Sequence, residues 1–352
     1  MSSRWSLRSL STATRLFALS LVGAAMLGGC SGKKPSADGT AGDNIELLNV
    51  SYDPTRELWE QVNKAFIPEY EKSSSKKLKI KQSHAGSSKQ AGLVVNGLEA
   101  DVVTLAIWPD VDQIRKAGLI NEGWEARLPN GSLPYTSTIV FVVRKGNPKG
   151  IKDWPDLVNE GIEVVTPDPK TSGNGKLSFI AAWGSVTQRD GTPEAAEEFV
   201  TKLYRNVKVL SPGARDATIV FKKQGDVHLT WENEAHLEVA ESNGEMEIVY
   251  PKVSVLAEPT VAWVDANVKR KGTTEVAEAY LKFLYTPAGQ EIIAQNHYRP
   301  TDKTVLLKYE KEFPKIDLFS VGKVAGNWGE AQKKFFDSGA LFSRIYNPNT
   351  AK

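Results

Sequence analysis

The chain has 352 residues, 41% hydrophobic and 24% charged, the balance of a globular protein with enough length for two lobes of ordinary size. Lys and Arg number 44 against 42 Asp and Glu, a formal net charge of +2. Three of the basic residues lie in a leader expected to be removed, which takes the mature charge to about −1 and excludes nucleic acid as a partner held by bulk charge.

Arg4, Arg8 and Arg15 form a basic start, followed by an apolar run from Leu16 to Leu27 without an acidic residue. Residues 1–29 therefore read as a secretory signal peptide, too short to span a membrane. The run ends in Leu27-Gly28-Gly29-Cys30, which resembles the bacterial lipobox, where small residues precede a cysteine that receives a diacylglyceryl group. Cys30 is the single cysteine of the chain, so it has no partner for an internal disulfide, and lipidation is its expected purpose. Residues 30–44 are expected to form a lipidated tether, since Ser31 to Asp43 carry no large apolar side chain and cannot build a core.

The folded body begins near Ile45. Ile45 to Val50 reads as a strand, and Leu58, Trp59, Val62, Ala65 and Phe66 recur at helical spacing. Leu78 to Ile80, Val102 to Ile107 and Ile139 to Val143 are further expected strands. This alternation predicts an α/β protein with two open sheets and a cleft between them. Pro134 to Val143 is expected to carry the chain into the second lobe and Val249 to Val264 to bring it back. The boundaries are expected at 45–133 plus about 251–300 for lobe 1, and at 134–250 plus about 301–352 for lobe 2.

Strand-to-helix junctions built from small residues are the most informative feature. At the first, Ser51-Tyr52 meets Asp53-Pro54-Thr55-Arg56, with Asp as N-cap and Pro at the first helical position. The second is Gln82-Ser83-His84-Ala85-Gly86-Ser87-Ser88-Lys89, ahead of a helix through Val94 and Val95. Thr171-Ser172-Gly173-Asn174-Gly175-Lys176 opens a helix containing Leu177, Ile180 and Trp183, and its glycines permit close backbone approach to a ligand. Ser211-Pro212-Gly213-Ala214-Arg215-Asp216 joins the strand-like Val207 to Leu210 to another helix. Simple capping and turn chemistry account for such junctions equally well one at a time. Convergent helix N-termini, however, form an anion site without Lys or Arg at contact, because each carries free N–H donors and a partial positive charge. Trp231, where the alternating Val227 to Trp231 run meets the helical Glu232 to Ala240, is a core residue or one more donor.

The same segments resemble the periplasmic sulfate- and thiosulfate-binding proteins, receptors of bacterial sulfate ABC transporters. The resemblance runs from Ile45 to about Lys333. Its most specific stretches are Leu47-Leu48-Asn49-Val50-Ser51-Tyr52-Asp53-Pro54-Thr55-Arg56-Glu57-Leu58, Gln82-Ser83-His84, Pro134-Tyr135-Thr136-Ser137-Thr138-Ile139-Val140-Phe141, Trp231-Glu232-Asn233-Glu234-Ala235 and Leu256-Ala257-Glu258-Pro259-Thr260. The resemblance implies a monomeric, two-lobed periplasmic binding protein fold of type II, no cofactor, no metal and no enzymatic activity. It further implies an ABC permease as partner and a periplasmic or extracytoplasmic location. For the ligand it implies backbone donation from Asp53, Gly173, Asn174 and Ala214, hydroxyl donation from Ser87 and Ser172, and indole donation from Trp231. The family's third loop runs Ser-Gly-Gly where this chain has Ser172-Gly173-Asn174. If that position needs positive φ, Asn adopts it less readily than Gly, which makes Asn174 the least secure contact. The best-known members also lack a lipid anchor.

Other readings are set beside this one. The same fold holds phosphate or molybdate, and an anion cradle also suits a phosphate- or sulfate-ester hydrolase, which needs a nucleophile and base or metals. His228, Glu232 and His236 are spaced by four, yet His228 falls in the strand pattern and so does not share the helix face of a metal pair. Ser172 to Lys176 lacks the upstream Gly of a nucleotide phosphate loop and has Leu177 where Ser or Thr follows Lys. Arg215, beside an expected contact, reads as second-layer charge or as a lobe–lobe ion pair.

Overall fold

The computed structural model describes residues 44–346. The expected signal peptide, Cys30 and nearly all of the expected tether lie outside the described residues, as does the end of the chain from 347. Among the described residues no helix is long and apolar enough to cross a membrane.

The first sheet has the order β11-β3-β1-β2, formed by β1 (Asn44–Tyr52), β2 (Lys77–Ala85), β3 (Val102–Leu105) and β11 (Thr260–Trp263). β1 runs parallel to both neighbours, in register from Asn44 opposite Lys77 to Tyr52 opposite Ala85, while β11 is antiparallel to β3. All four residues of β3 are buried, as expected of a strand covered on both faces by helices. α1 (Arg56–Ser74) turns Leu58, Trp59, Val62 and Phe66 inward, the stripe that 3.6-residue periodicity places on one side of a helix. α2 (Ser87–Val95) and α3 (Trp108–Lys116) cover one face, and the short α4 (Pro129–Ser132) leads out of the lobe. α9 (Asp265–Lys271), α10 (Thr274–Phe283) and α11 (Pro287–Gln295) pack with α1, where Tyr280 lies 5.0 Å from Trp59 and 5.1 Å from Phe66.

The second sheet, β7-β6-β8-β5-β9, comprises β5 (Ile139–Arg144), β6 (Val164–Pro167), β7 (Val207–Ser211), β8 (Val227–Trp231) and β9 (Met246–Val249). β6 is parallel to β7 and β8, and β5 is antiparallel to β8 and β9. α5 (Gly173–Thr187) is buried nearly all round, flanked by α6 (Pro193–Arg205) and by Phe335, Phe336 and Phe342 from the C-terminal segment. α7 (Ala214–Lys223) and α8 (Glu232–Glu241) complete the lobe.

Both sheets lie within one compact unit. The chain crosses between them at β4 (Tyr135–Thr136), which pairs antiparallel with β12 (Arg299–Pro300), and at the bridge Ser137 to Ala257. β10 (Val253–Val255) pairs in parallel with β13 (Asp317–Phe319) and packs into the second core. α12 (Lys303–Lys308) stays with the first lobe, because Gln290 of α11 accepts from the Asp302 N–H and Lys308 pairs with Glu291. At the crossings Arg299 grips the fully buried Glu232 with two bonds of 2.7 Å, the fork geometry that suits a carboxylate.

Candidate functional site

β1, β2 and β3 of the first lobe and β8 of the second end at a small cavity between the lobes, lined by Tyr52, Asp53, Pro54, Gly86, Ser87, Ala106, Ser172, Gly173, Asn174, Ala214 and Trp231. Every ligand-contact residue expected from the sequence is among them. The cavity is small, with about 10 Å³ of room for a water-sized sphere, far below the roughly 300–1,000 Å³ of pockets for organic ligands.

Its walls are helix starts. Ser87 is the first residue of α2, Gly173 and Asn174 the first and second of α5, and Ala214 the first of α7. Asp53 opens a three-residue 3-10 turn that runs into α1. First-turn N–H groups have no carbonyl acceptor within their own helix, so these residues bring donors rather than charges to the cavity. Trp231 is fully buried, and its indole N–H has no partner among the described residues. Its ring lies 5.2 Å from that of Tyr52 across the cleft. The cost of burying an unbonded donor is about 1–3 kcal/mol, and this one lies in the cavity wall.

Some expected roles change. Asp53 does not cap α1: its Oδ1 accepts from Arg56 at 2.7 Å, while burial raises its pKa against the pull of that guanidinium. The Ser87 hydroxyl is committed, donating to Asp110 Oδ2 at 2.5 Å and accepting from the Ala106 N–H at 2.9 Å. That leaves the Ser87 backbone N–H, not the hydroxyl, as its free donor. Ser172 caps α5 by accepting from the Gly175 N–H at 3.4 Å, which uses a lone pair and leaves the hydroxyl proton available. Asn174 has no positive φ; it is helical, and its Nδ2 donates to the Leu229 carbonyl at 3.1 Å. The loop accepts Asn because the position lies inside the helix.

Sequence reasoning passed over Tyr52, Pro54, Gly86 and Ala106 as cavity walls. Gly86 stood within the small-residue run before α2, whereas Ala106 follows a buried strand and carries no local signal of a site. Glycines also set how closely the lobes meet. A methyl group on Gly173 would fall 2.4 Å from Ala106 Cβ, one on Gly86 2.7 Å from the Thr171 carbonyl, and one on Gly213 2.6 Å from Asp53 Oδ2. Each of these contacts joins one lobe to the other.

Charge sits at the rim. Arg215 pairs with Glu57 of the first lobe at 2.7 Å and with buried Glu234 at 2.5 Å, the lobe–lobe pairing weighed for it above. These carboxylates hold Arg215 above its ordinary pKa. His84 bonds Ser51 Oγ and Gln82 Oε1 through its two ring nitrogens, and burial first, then the Arg56 charge, lowers its pKa to about 4. His228 pairs with Glu238 inside the second lobe at 3.0 Å. Among the described residues no group of three or more His, Cys, Asp or Glu is placed to hold a metal ion.

A two-lobed α/β protein with a polar cavity at the strand ends belongs to a recognised class, and comparison with known proteins agrees. Residues 59–299 match the model of the bacterial extracellular solute-binding proteins, so the chain belongs to that family and is a solute-binding protein rather than an enzyme. Within it the chain is a member of the sulfate- and thiosulfate-binding proteins. It is 53% identical over 306 residues to the sulfate-binding protein of Escherichia coli, covering 86% of this chain and 93% of that one. It is 46% identical over 339 residues to the thiosulfate-binding protein of Pseudomonas aeruginosa, covering 95% and 99%. The structure of the sulfate-binding protein SubI from Mycobacterium tuberculosis superposes with a TM-score of 0.75 at 31% identity, covering 83% of this chain and 99% of that one.

Two outcomes are expected. Gly173→Ala and Gly213→Ala add a methyl at the lobe contact, so ligand affinity should fall about tenfold or more, from the 1–3 kcal/mol cost of overpacking. Ligand-free melting should stay unchanged, and titration calorimetry beside thermal melts checks both. Because His84 is neutral in the folded state to about pH 4 but takes up a proton near pH 6.5 when unfolded, stability should be lost as pH falls through that window. Melting curves of His84→Gln should show a shallower loss than the parent.

Proposed function

We propose that this chain is an extracytoplasmic receptor that captures sulfate, with thiosulfate as the close alternative, and delivers it to the permease of an ABC transporter. The observation that carries the reading is the Trp231 indole N–H, buried without a partner in a cavity otherwise walled by first-turn N–H groups. Sulfate is fully ionised, compact and strongly hydrated, so burying it requires replacement of nearly all its bonds to water. Backbone N–H groups of Asp53, Ser87, Gly173, Asn174 and Ala214, the Ser172 hydroxyl and the Trp231 indole supply that shell from both lobes. Closure of the two lobes completes it, and the permease reads the closed shape. The close relatives named for sulfate and for thiosulfate support both ligands.

Selectivity against phosphate rests on protons. Phosphate keeps one near neutral pH and needs an acceptor, whereas the carboxylate nearest the cavity, on Asp53, is held by Arg56. Asn174 Oδ1 is buried without a partner among the described residues, which makes phosphate the informative control. Calorimetry with sulfate, thiosulfate, molybdate and phosphate should give tight binding of one or both sulfur oxyanions and none of phosphate. Tight phosphate binding with silence toward sulfate sinks the reading. Trp231→Phe should weaken sulfate about 10- to 100-fold, the worth of a hydrogen bond to a charged group.

The lipid anchor at Cys30 belongs to the same proposal, its support being the Leu27-Gly28-Gly29-Cys30 run and the solitary thiol. The full-length chain expressed with its leader in a bacterium should fractionate with membranes, and Cys30→Ala should release it in soluble form. Equal partition of the two chains removes the anchor and leaves the binding site untouched.

A further inference from the structure

Lys176 is a buried lysine for which the ligand shell has no use. It sits in the first turn of α5, three residues beyond Gly173, and its side chain is 8% exposed. It is absent from the cavity wall, and so is Asp110. Its ammonium instead crosses to the first lobe, donating to Ser88 Oγ at 3.2 Å and lying 3.9 Å from Asp110 Oδ1. Asp110, in the first turn of α3, is also buried. It accepts from the hydroxyls of Ser87 at 2.5 Å and Ser88 at 2.8 Å, and the Ser87 hydroxyl in turn accepts from the Ala106 N–H. The chain Lys176, Ser88 and Asp110, Ser87, Ala106 therefore ties the start of α5 in one lobe to the cavity wall of the other.

Each end of this chain belongs to a different lobe, so the contact exists only when the lobes meet. In an open protein both the ammonium and the carboxylate regain water. Closure takes both out of water, and a buried carboxylate then needs its cation nearby. Two hydroxyl donors serve Asp110 from its own lobe, but the charge that balances it arrives from the other one. Lys176 also passes 5.9 Å from the Phe336 ring of the C-terminal segment, which limits where its long stem can go.

We infer that Lys176 is a positioning residue for ligand retention: a latch that touches no ligand, balances Asp110 only in the closed protein, and thereby holds the Ser87 end of α2 against the cavity. The inference rests on the oxyanion reading of the cavity. Because the bond forms after the lobes meet, it acts on release and leaves capture alone.

The test uses the full chain, inorganic sulfate as probe, and stopped-flow tryptophan fluorescence for the association and release rates. Lys176→Met should release sulfate about tenfold faster, with association within about twofold of the parent and ligand-free melting unchanged. Adding Asp110→Asn removes the carboxylate that lacked a cation, so the double variant should recover part of the retention lost in Lys176→Met. Should Lys176→Met fail to fold, Lys176→Gln takes its place in the same comparison. Release at the parent rate overturns the latch while sulfate binding by the parent stands. A fall in ligand-free melting that matches the loss of affinity also overturns it, since a structural lysine behaves in that way. If the parent binds neither sulfate nor thiosulfate, the reading of the cavity fails and the latch falls with it.

Discussion

A buried hydrogen-bond donor must find an acceptor, and the first turn of a helix holds donors that its own backbone cannot satisfy. Most helices in a globular protein leave these groups to water or to a capping side chain. Here α2, α5, α7 and the turn before α1 bring theirs to one small cavity between two lobes. Glycines stand at the N-cap positions of α2 and α7, Gly86 and Gly213, Asp53 is turned to Arg56, and the Ser172 cap of α5 takes only the Gly175 N–H. The cavity is thus polar through its backbone, and its demand for an acceptor is built into the way strands hand over to helices.

The closeness of the lobes follows from the same constraint. Donors on opposite sides of a cleft serve one small ion only if the backbones come within a few ångströms of each other. Gly86, Gly173 and Gly213 provide that approach, since a β-carbon at any of them meets the other lobe at contact too short to hold. Apart from Asp53, which Arg56 holds, formal charge stays off the cavity wall: Arg215 joins Glu57 and Glu234, and Lys176 joins Asp110. Such pairs contribute little net stability, because desolvation offsets their attraction. They do reject a misaligned closure, in which a charge would be buried without its partner.

Much of this was legible in the sequence because its signals are local. Strand ends at Val227 to Trp231 and helix starts at Ser172-Gly173 are written in period and turn chemistry over a few residues. The role of the Ser87 hydroxyl was not, because Asp110 is 23 positions away in the chain and reaches Ser87 only when α3 packs beside α2. The condition attached to Asn174 was answered by the structure for a related reason. Whether an Asn needs positive φ depends on where the helix begins, and that is decided by packing as well as by propensity.

By itself the sequence determined the alternation that makes two α/β lobes and the residues that end up lining one cavity. Periodicity, turn residues and motif identity are properties of short stretches and survive without coordinates. Only the tertiary structure decided that those stretches meet at one cavity, that the Ser87 hydroxyl is spent on Asp110, and that Lys176 answers Asp110 across the cleft. Contacts between residues far apart in the chain depend on how the lobes pack, and no local pattern records that.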